Sequence, residues 1–262
     1  MLCLNLIFNT SFFKFEVQKN VLLLMVLYFK YISEFIDGYY CTLIVIFILL
    51  NGCAIKPPHE TGNFKPNDLV ELVKLDTSIH LDIRYASSNN FAGRPVYKEA
   101  KAFLQRPAAE ALIKISKELK YFNNRLLIFD GYRPLSVTKI FWNITFEENK
   151  KFVADPKKGS RHNRGCAIDL SLYELASGKV VQMTSEHHEM SERSYPTYTS
   201  ETTEQRIKRD LLKTKMEANG FTLCACEWWH FDFNGWQKFR IANIPFSKIR
   251  KRETIGRRIK CF

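Results

Sequence analysis

The chain has 262 residues, 46% of them hydrophobic and 25% charged, which is typical of a globular protein and excludes disorder along the whole length. This length suits one domain with a terminal extension and is short for two. The net charge of +12 does not by itself indicate nucleic-acid binding, because residues 238–262 supply +8 of it with nine Lys or Arg and one acidic residue.

The basic residues after position 246 form a predicted C-terminal tail at 247–262. Basic and aromatic residues do not alternate there in the way that stacks bases, so we predict no nucleic-acid partner. A run of this kind is typical of a solvated tail, and the alternative is attraction to anionic lipid head groups or acidic wall polymers.

The first element in chain order is an apolar targeting segment at 1–53. Its run at 41–53 suits the core of a signal peptide better than a full membrane span. Leu50-Asn51-Gly52-Cys53 resembles a bacterial lipoprotein cleavage box with Cys53 as the lipidated residue. An uncleaved anchor and simple secretion are the alternatives. We therefore expect export to the bacterial cell envelope, in the periplasm or at the outer surface, with membrane anchoring through this segment or through Cys53.

A linker at 54–67, with three prolines and one glycine, precedes a domain at 68–246. Apolar patterns predict the elements of that domain. They are strands at 69–75, 79–85 and 125–129, helices at 107–122 and 203–219, and a strand-rich aromatic run at 221–233. The second helix is predicted to bury Ile207, Leu211 and Leu212. Without a βαβ repeat, this order predicts one α+β domain with a mainly antiparallel sheet flanked by helices.

The seven cysteines are scattered and odd in number, so they do not form a disulfide framework. Cys224 and Cys226 form a C-x-C without a second cysteine pair at zinc-finger spacing. A thiolate metal site is therefore disfavoured.

A histidine and an aspartate, His162 and Asp169, lie seven residues apart. Alone they are a weak signal, because such residues are usually structural near a glycine turn. Glu227 and His230 add a second imidazole and a spare carboxylate. Two imidazoles and one carboxylate leave the fourth position of a tetrahedral zinc open for water, as in catalytic sites. Glu227 is then the candidate base that takes the proton of that water.

The spacing of Glu227 and His230 raises a geometric question. Residues i and i+3 on a flat strand point to opposite faces, so a strand would need a bend or a bulge. A helix would align them, but the neighbouring Trp228 and Trp229 make this run too aromatic for a helix. The sequence leaves the question open.

Another candidate is Arg133, which a Gly/Pro turn presents after the buried strand at 125–129. Most arginines at turns are solvated surface groups. Near a metal, a fixed guanidinium would instead stabilise the oxyanion that forms when water attacks a carbonyl.

Four motifs in order make the chain resemble the D-alanyl-D-alanine dipeptidase family of zinc metallopeptidases. The resemblance spans residues 68–246, nearly all of the predicted domain. The motifs are Asp82-Ile83-Arg84-Tyr85-Ala86 with Asn90-Phe91-Ala92-Gly93, then Asp130-Gly131-Tyr132-Arg133-Pro134, then Ser160-x-His162-x-x-Gly165-x-Ala167-x-Asp169, and finally Glu227-x-x-His230.

The resemblance implies roles for the matching residues. His162, Asp169 and His230 would hold one Zn²⁺ per chain, Glu227 would be the catalytic acid and base, and Arg133 would stabilise the transition state. The substrate pocket would include Tyr85 and Ser160. The implied reaction is hydrolysis of the D-Ala-D-Ala dipeptide, a cell-wall precursor, to two D-alanines. Another divalent ion would also suit two histidines and one carboxylate.

The chain departs from the family pattern at His187-His188, where Phe-Asp commonly precedes the Glu-Met-Ser-Glu-Arg stretch. If that aspartate holds the substrate amine, the departure changes substrate preference. The alternatives are a harmless loop change and a second metal site. Cys166 is interpreted as a small packing residue.

Two other functions are compatible with the same residues. One is a zinc D,D-carboxypeptidase that acts on longer wall peptides, since the metal site would serve either substrate. The other is a non-catalytic binder of wall peptides with structural zinc, but such a binder would need neither Glu227 nor Arg133.

Overall fold

The structure is a computed structural model that describes residues 24, 25, 28, 30 and 55–249. All the elements given below belong to the unit that starts at Ile55. Cys53 with most of the predicted targeting segment, and the predicted tail from residue 250, lie outside the described residues. Within the described part of the chain, no helix is both long and apolar enough to cross a membrane.

The domain contains the strands and α-helices given next, and residues 246–249 are helical as well. In chain order they are β1 (Leu69–Glu71), α1 (Leu72–Leu75), β2 (His80–Leu81), β3 (Phe103–Gln105), α2 (Arg106–Leu119), β4 (Asn124–Asp130), α3 (Leu135–Ile144), β5 (Ala167–Glu174), α4 (Thr203–Ala218), β6 (Phe221–Leu223) and β7 (His230–Phe233).

A five-stranded sheet in the order β2-β4-β5-β7-β6 lies at the centre of the domain. All neighbours in it pair antiparallel except β2 and β4, which pair parallel. β1 and β3 form a separate antiparallel pair. The predicted α+β domain with a mainly antiparallel sheet is therefore confirmed.

Helix α2 has the amphipathic pattern that the sequence predicts. Pro107 lies in its first turn, where the missing N–H costs no hydrogen bond. Its fully buried side chains pack towards the sheet and include Leu112, Ile115 and Leu119. After a 3-10 turn, Asn123 ends the helical segment in the left-handed region, with φ of 56°.

Helix α4 lies where the sequence predicts a helix, but the prediction that Ile207 is on its buried face is wrong. Thr202 and Gln205 form a capping box at its start, and Gly220 follows its end with φ of 85°. Leu212 is fully buried, whereas Ile207 is 60% exposed. At about 100° per residue, these two positions lie about 140° apart around the helix, so they cannot share one face.

The predicted strands at 69–75 and 79–85 are shorter than expected. β1 ends at Glu71 because its antiparallel partner β3 has only three residues, and the chain then turns into α1. The second segment contains the two residues of β2, followed by a 3-10 turn at Arg84–Ala86. Strand prediction at 69–75 is therefore wrong from Leu72 onwards.

Residues 55–67, the predicted linker, are hydrogen-bonded to the C-terminal part of the domain. Lys65 donates its backbone N–H to Lys238 O at 2.8 Å, and Asn243 donates to Ile55 O at 2.9 Å. The Glu60 carboxylate accepts from the Ile241 N–H and pairs with Arg164. The domain boundary at residue 68 stays a prediction.

Gly165 closes the turn between the predicted metal ligands His162 and Asp169. Its φ is +67°, in the left-handed region that glycine adopts without strain. A Cβ at this position would collide with the Leu69 side chain and press on Gln105. Both the backbone conformation and the lack of space therefore favour glycine at this turn.

Candidate metal centre and active site

Three neighbouring strands bring acidic and imidazole groups to one level of the sheet. Asp169 on β5 pairs with His230, the first residue of β7, and on its other side with Asp130, the last residue of β4. Cross-strand partners point to the same face, so these side chains meet. His162 joins them from the 3-10 turn that precedes β5.

The three predicted metal ligands form a compact triangle of donor atoms. His162 Nε2 lies 3.2 Å from His230 Nδ1 and 3.4 Å from Asp169 Oδ1. His230 Nδ1 lies 2.9 Å from the same oxygen. A tetrahedral zinc with bonds of about 2.0–2.1 Å has ligand atoms about 3.3 Å apart. The spacing and the donor types therefore fit a divalent metal ion.

The outer nitrogen of each histidine has a fixed partner. His162 Nδ1 donates to Gly131 O at 2.7 Å, and His230 Nε2 donates to Asp232 Oδ1 at 3.1 Å. These bonds hold the rings in the tautomer whose other nitrogen faces the triangle, as is usual for metal-bound histidines. Asp232 was missed in the sequence, although it follows His230 by two residues on a strand and therefore shares its face.

The electrostatics of the triangle favour a bound cation. Burial alone would raise the pKa of Asp169, but the nearby imidazoles of His162, His187 and His230 lower it well below its ordinary value. Burial alone would lower the pKa of His230, but Asp169 and Asp232 raise it well above its ordinary value. Asp169 is thus an anion, and the two aspartates attract positive charge to this point.

Glu227 lies in a turn, which resolves the geometric question raised by the sequence. The N–H of His230 donates to Glu227 O at 3.2 Å, and β7 starts only at His230. Both side chains can therefore face the same point, and Glu227 Oε2 lies 3.8 Å from His230 Nδ1. Burial raises the pKa of Glu227 to about 8. A carboxyl group with a pKa near neutrality can both accept and release a proton.

Arg133 is buried, not solvated, and its guanidinium is held by charge and by aromatic rings. Nε and Nη2 donate to Asp130 Oδ2 at 2.9 and 2.8 Å, and Nη2 lies 3.6 Å from Asp169 Oδ2. The guanidinium carbon lies 5.0 and 5.5 Å from the ring centroids of Phe141 and Tyr85. A cation fixed in this way is ready to meet developing negative charge in the cavity.

Asn163 connects this arginine to the metal-binding turn, and the sequence did not indicate it. Its side-chain amide donates to Arg133 O at 2.7 Å and to Thr138 Oγ1 at 2.8 Å. Its oxygen accepts from the N–H of Ser160 at 2.8 Å. This fully buried residue therefore ties Ser160, Arg133 and α3 into one unit.

All seven predicted site residues line one cavity of about 210 Å³. This is small beside the ~300–1,000 Å³ of pockets for drug-sized ligands. The other lining residues are Phe91, Phe141, Lys151, Phe152, Val153, Ala154, Arg161, His188, Glu189, Met190, Cys224 and Trp229. A small substrate with charged ends suits this cavity.

His187 and His188 occupy different places around the cavity. His187 is buried and stacks on Phe129, and its Nε2 lies 3.8 Å from Asp169 Oδ2. His188 lines the cavity beside Tyr85, with a ring-centroid distance of 4.5 Å and a left-handed φ of 75°. Burial lowers the pKa of His188 well below its ordinary value. The cavity wall therefore carries a neutral imidazole here.

Cys166 is fully buried on the way from His162 to Asp169, as expected for a packing residue. Burial raises the pKa of its thiol to about 12. It therefore offers no thiolate to a metal at neutral pH.

Comparisons with known proteins give one consistent result. A family model described as D-ala-D-ala dipeptidase matches residues 65–248. The D-alanyl-D-alanine dipeptidase of Escherichia coli (strain K12) is 32% identical over 165 residues, which cover 63% of this chain and 84% of that protein. The protein of the same name from Enterococcus faecium is 33% identical over 181 residues, 60% of this chain and 88% of that protein. The one from Streptomyces coelicolor is 31% identical over 189 residues, which cover 65% of this chain and 91% of that protein.

Proposed function

The chain belongs to the D-Ala-D-Ala dipeptidase family of peptidases, and from that membership we propose that it hydrolyses the D-alanyl-D-alanine dipeptide to two D-alanines with one zinc ion. The observation that carries the proposal is the triangle of donor atoms from His162, Asp169 and His230, with Glu227 and Arg133 beside it. A metal-dependent dipeptidase needs each of these groups on one cavity.

His162, Asp169 and His230 are the residues that would hold the metal. When bound, the ion supplies a Lewis acid that polarises the scissile carbonyl and lowers the pKa of water. Asp232 and Gly131 keep the two imidazole rings oriented through their outer nitrogens. Zinc is the ion that this donor set and this tetrahedral spacing favour.

Glu227 moves the proton. Its carboxylate takes a proton from the attacking water and passes it to the amine of the departing D-alanine. The Glu227 side chain is mostly shielded from solvent, with 18% exposed, and its Oε2 lies 3.8 Å from His230 Nδ1. It therefore lies beside the donor triangle without being one of the closest three donors.

Arg133 stabilises the oxyanion that develops at the scissile carbonyl. Asp130 fixes its guanidinium through two hydrogen bonds, and Tyr97 and the Gly131 N–H both donate to the other oxygen of Asp130 at 2.8 Å. The arginine thus needs little reorganisation during the reaction, which is what makes a buried cation effective.

The remaining wall suits a small zwitterion. Arg161 and Lys151 offer positive charge to a carboxylate, and Glu189 offers negative charge to an amine. Tyr85 and Ser160 would contact the substrate between these ends. A volume of about 210 Å³ favours the free dipeptide over a longer wall peptide.

The decisive experiment measures D-alanine released from D-Ala-D-Ala by the zinc-loaded chain. An N-blocked pentapeptide that ends in D-Ala-D-Ala is tested beside it, and the Glu227→Gln variant is the control. Turnover of the dipeptide by the parent chain alone supports the proposal. Turnover of the pentapeptide alone would make the chain a D,D-carboxypeptidase, and zinc binding without turnover of either would make it a binder.

We also propose that the chain is exported to the cell envelope and anchored there through Cys53. The support is the apolar run at 41–53 that ends in this cysteine. Membrane fractionation of cells with the parent chain and with Cys53→Ser tests it. Equal membrane content of both chains would reject the lipid anchor.

A further inference from the structure

Two thiols lie in contact beside the active site, and the proposed mechanism uses neither. Cys224 and Cys226 lie in the turn that connects β6 to β7, and their Sγ atoms are 2.8 Å apart. Both side chains are half-buried, and Cys224 lines the catalytic cavity. With Cys166, they are the free cysteines of the described residues.

The two thiols and the Glu227 carboxylate have ligand atoms within 4.8 Å of one another, but the sulfurs lie closer together than a shared metal ion would hold them. Two thiolates on a tetrahedral zinc, with bonds of about 2.3 Å, would lie about 3.8 Å apart. The observed 2.8 Å is much shorter. A disulfide bond measures about 2.0 Å, so the sulfurs need to approach by less than about 1 Å.

We propose that Cys224 and Cys226 are a site of reversible oxidation, whose disulfide displaces Glu227 and slows the hydrolysis proposed above. The oxidant is a small-molecule disulfide, RSSR. Cys224, which lines the cavity, attacks one sulfur of RSSR and releases RS⁻. Cys226 then attacks the Cys224 sulfur of this mixed disulfide and releases the second RS⁻. The two protons lost by the cysteines yield two RSH, so electrons and atoms balance.

The backbone connects this pair directly to the catalytic groups. Cys226 precedes Glu227, and the N–H of Cys224 donates to His230 O at 2.9 Å. Drawing the sulfurs together therefore moves the chain at Glu227, whereas His230 is held by its pairing with Asp169. A displacement of about 1 Å in a catalytic group can lower a rate about 10²-fold.

The disulfide is expected to be reversible because its two cysteines are only two residues apart in the sequence. A disulfide between residues two apart closes a very small ring and stores strain. Strained disulfides have higher reduction potentials and are reduced readily. The pair is therefore suited to respond to thiol reagents and unsuited to act as a permanent cross-link.

Mass spectrometry tests the oxidation without any activity assay. The full-length chain is treated with oxidised glutathione, quenched in acid, alkylated under denaturing conditions and digested with trypsin. Trypsin yields a peptide 216–238 that contains both cysteines and a peptide 165–179 that contains only Cys166. We expect 216–238 to lose two hydrogens and escape alkylation, while 165–179 is alkylated as an internal control. Alkylation of both thiols in 216–238 would overturn the proposal, as would a second zinc ion retained by the unoxidised pair.

A second experiment, which rests on the proposed function, compares the kcat of the oxidised chain with that of the reduced chain. We expect the oxidised chain to have at least about tenfold lower kcat with unchanged zinc content, and dithiothreitol to restore it. Cys226→Ser should keep the kcat of the reduced parent, and its peptide 216–238 should carry the mixed disulfide at Cys224 and should not lose two hydrogens. An oxidised chain as active as the reduced one would overturn the displacement of Glu227. A reduced chain that fails to turn over the dipeptide would instead reject the proposed function, and the peptide masses would still decide the oxidation.

Discussion

A polar cluster lies beside each end of strand β4, and the groups of the two clusters are hydrogen-bonded differently. Near its start, both carboxylate oxygens of Asp76 meet donors, from Ser78 at 2.9 and 2.5 Å and from Ser116 at 2.8 Å, with Arg125 at 4.0 Å. At its end, two imidazole nitrogens and one carboxylate oxygen converge within 3.4 Å of one another. In the first cluster both carboxylate oxygens already have donors, whereas the donor atoms of the second converge on one point that would suit a cation.

The two clusters are therefore expected to have different roles, one in stability and the other in catalysis. A cluster that satisfies its own hydrogen bonds contributes stability, and its loss leaves buried groups unpaired. A cluster whose donor atoms converge on one shared point gains further stability when an ion is bound there. Substitutions at the two ends of β4 should therefore act on different measurable quantities.

The largest effect is expected for Glu227→Gln at the catalytic end. Glutamine keeps the shape but cannot accept and release a proton, so kcat should fall about 10³-fold. Zinc content and thermal stability should stay as in the parent chain, because Glu227 is not one of the three closest donors. Zinc content by atomic absorption decides the role, since loss of metal together with activity would make Glu227 a ligand or a support.

Arg133→Lys should lower kcat about 10²-fold with a smaller change in KM. Lysine keeps the charge beside Asp130 but loses the planar fork that holds the cation in place. Steady-state kinetics with D-Ala-D-Ala measures the changes in kcat and KM separately. The matched control is Arg164→Lys, whose side chain pairs with Glu60 and does not line the cavity. A rise in KM alone would make Arg133 a substrate-binding residue.

His188→Asp is expected to lower KM for the free dipeptide about tenfold. Burial lowers the pKa of His188 well below its ordinary value, so the parent chain presents a neutral ring to the substrate. A carboxylate would add a charge-assisted hydrogen bond to a substrate amine, worth about 1.5–3 kcal/mol. His80→Asp, at an exposed histidine outside the cavity, is the control. An unchanged KM would show that the amine does not contact this wall.

The smallest effect is expected for Asp76→Asn, and it should appear in stability alone. Burial would raise the pKa of Asp76, but hydrogen bonds from Ser78 and Ser116 and the charge of Arg125 lower it below the ordinary 3.8. A lowered pKa adds stability above the unfolded-state value, and this contribution is lost as the pH falls through the folded-state value.

We therefore expect Asp76→Asn to lower the free energy of unfolding by about 1 kcal/mol at pH 7. The difference from the parent chain should shrink below about pH 4. Urea unfolding at pH 7 and pH 3 measures it, and kcat should not change. A fall in kcat as large as that of Arg133→Lys would remove the distinction between the two clusters.

The sequence predicts the fold class and indicates the residues that gather in the cavity, because those residue types are tied to local patterns. Asp169 and His162 share one turn and strand, and the fixed position of Gly165 sets their spacing. The sequence does not indicate Asn163, because its contacts include the carbonyl of a residue 30 positions away. Nor could apolar character alone assign Ile207 to the correct face of α4. The catalytic and ligand roles of the seven residues stay predictions.

Gly165 also bears on mutational tolerance. Its left-handed backbone and its contact with Leu69 disfavour any larger side chain, although glycine itself contributes no reacting atom. A saturation library should therefore be as intolerant at this position as at His162 or Asp169. Intolerance there would report the shape of a turn, and a functional screen that ranks positions by intolerance alone would mistake that shape for chemistry.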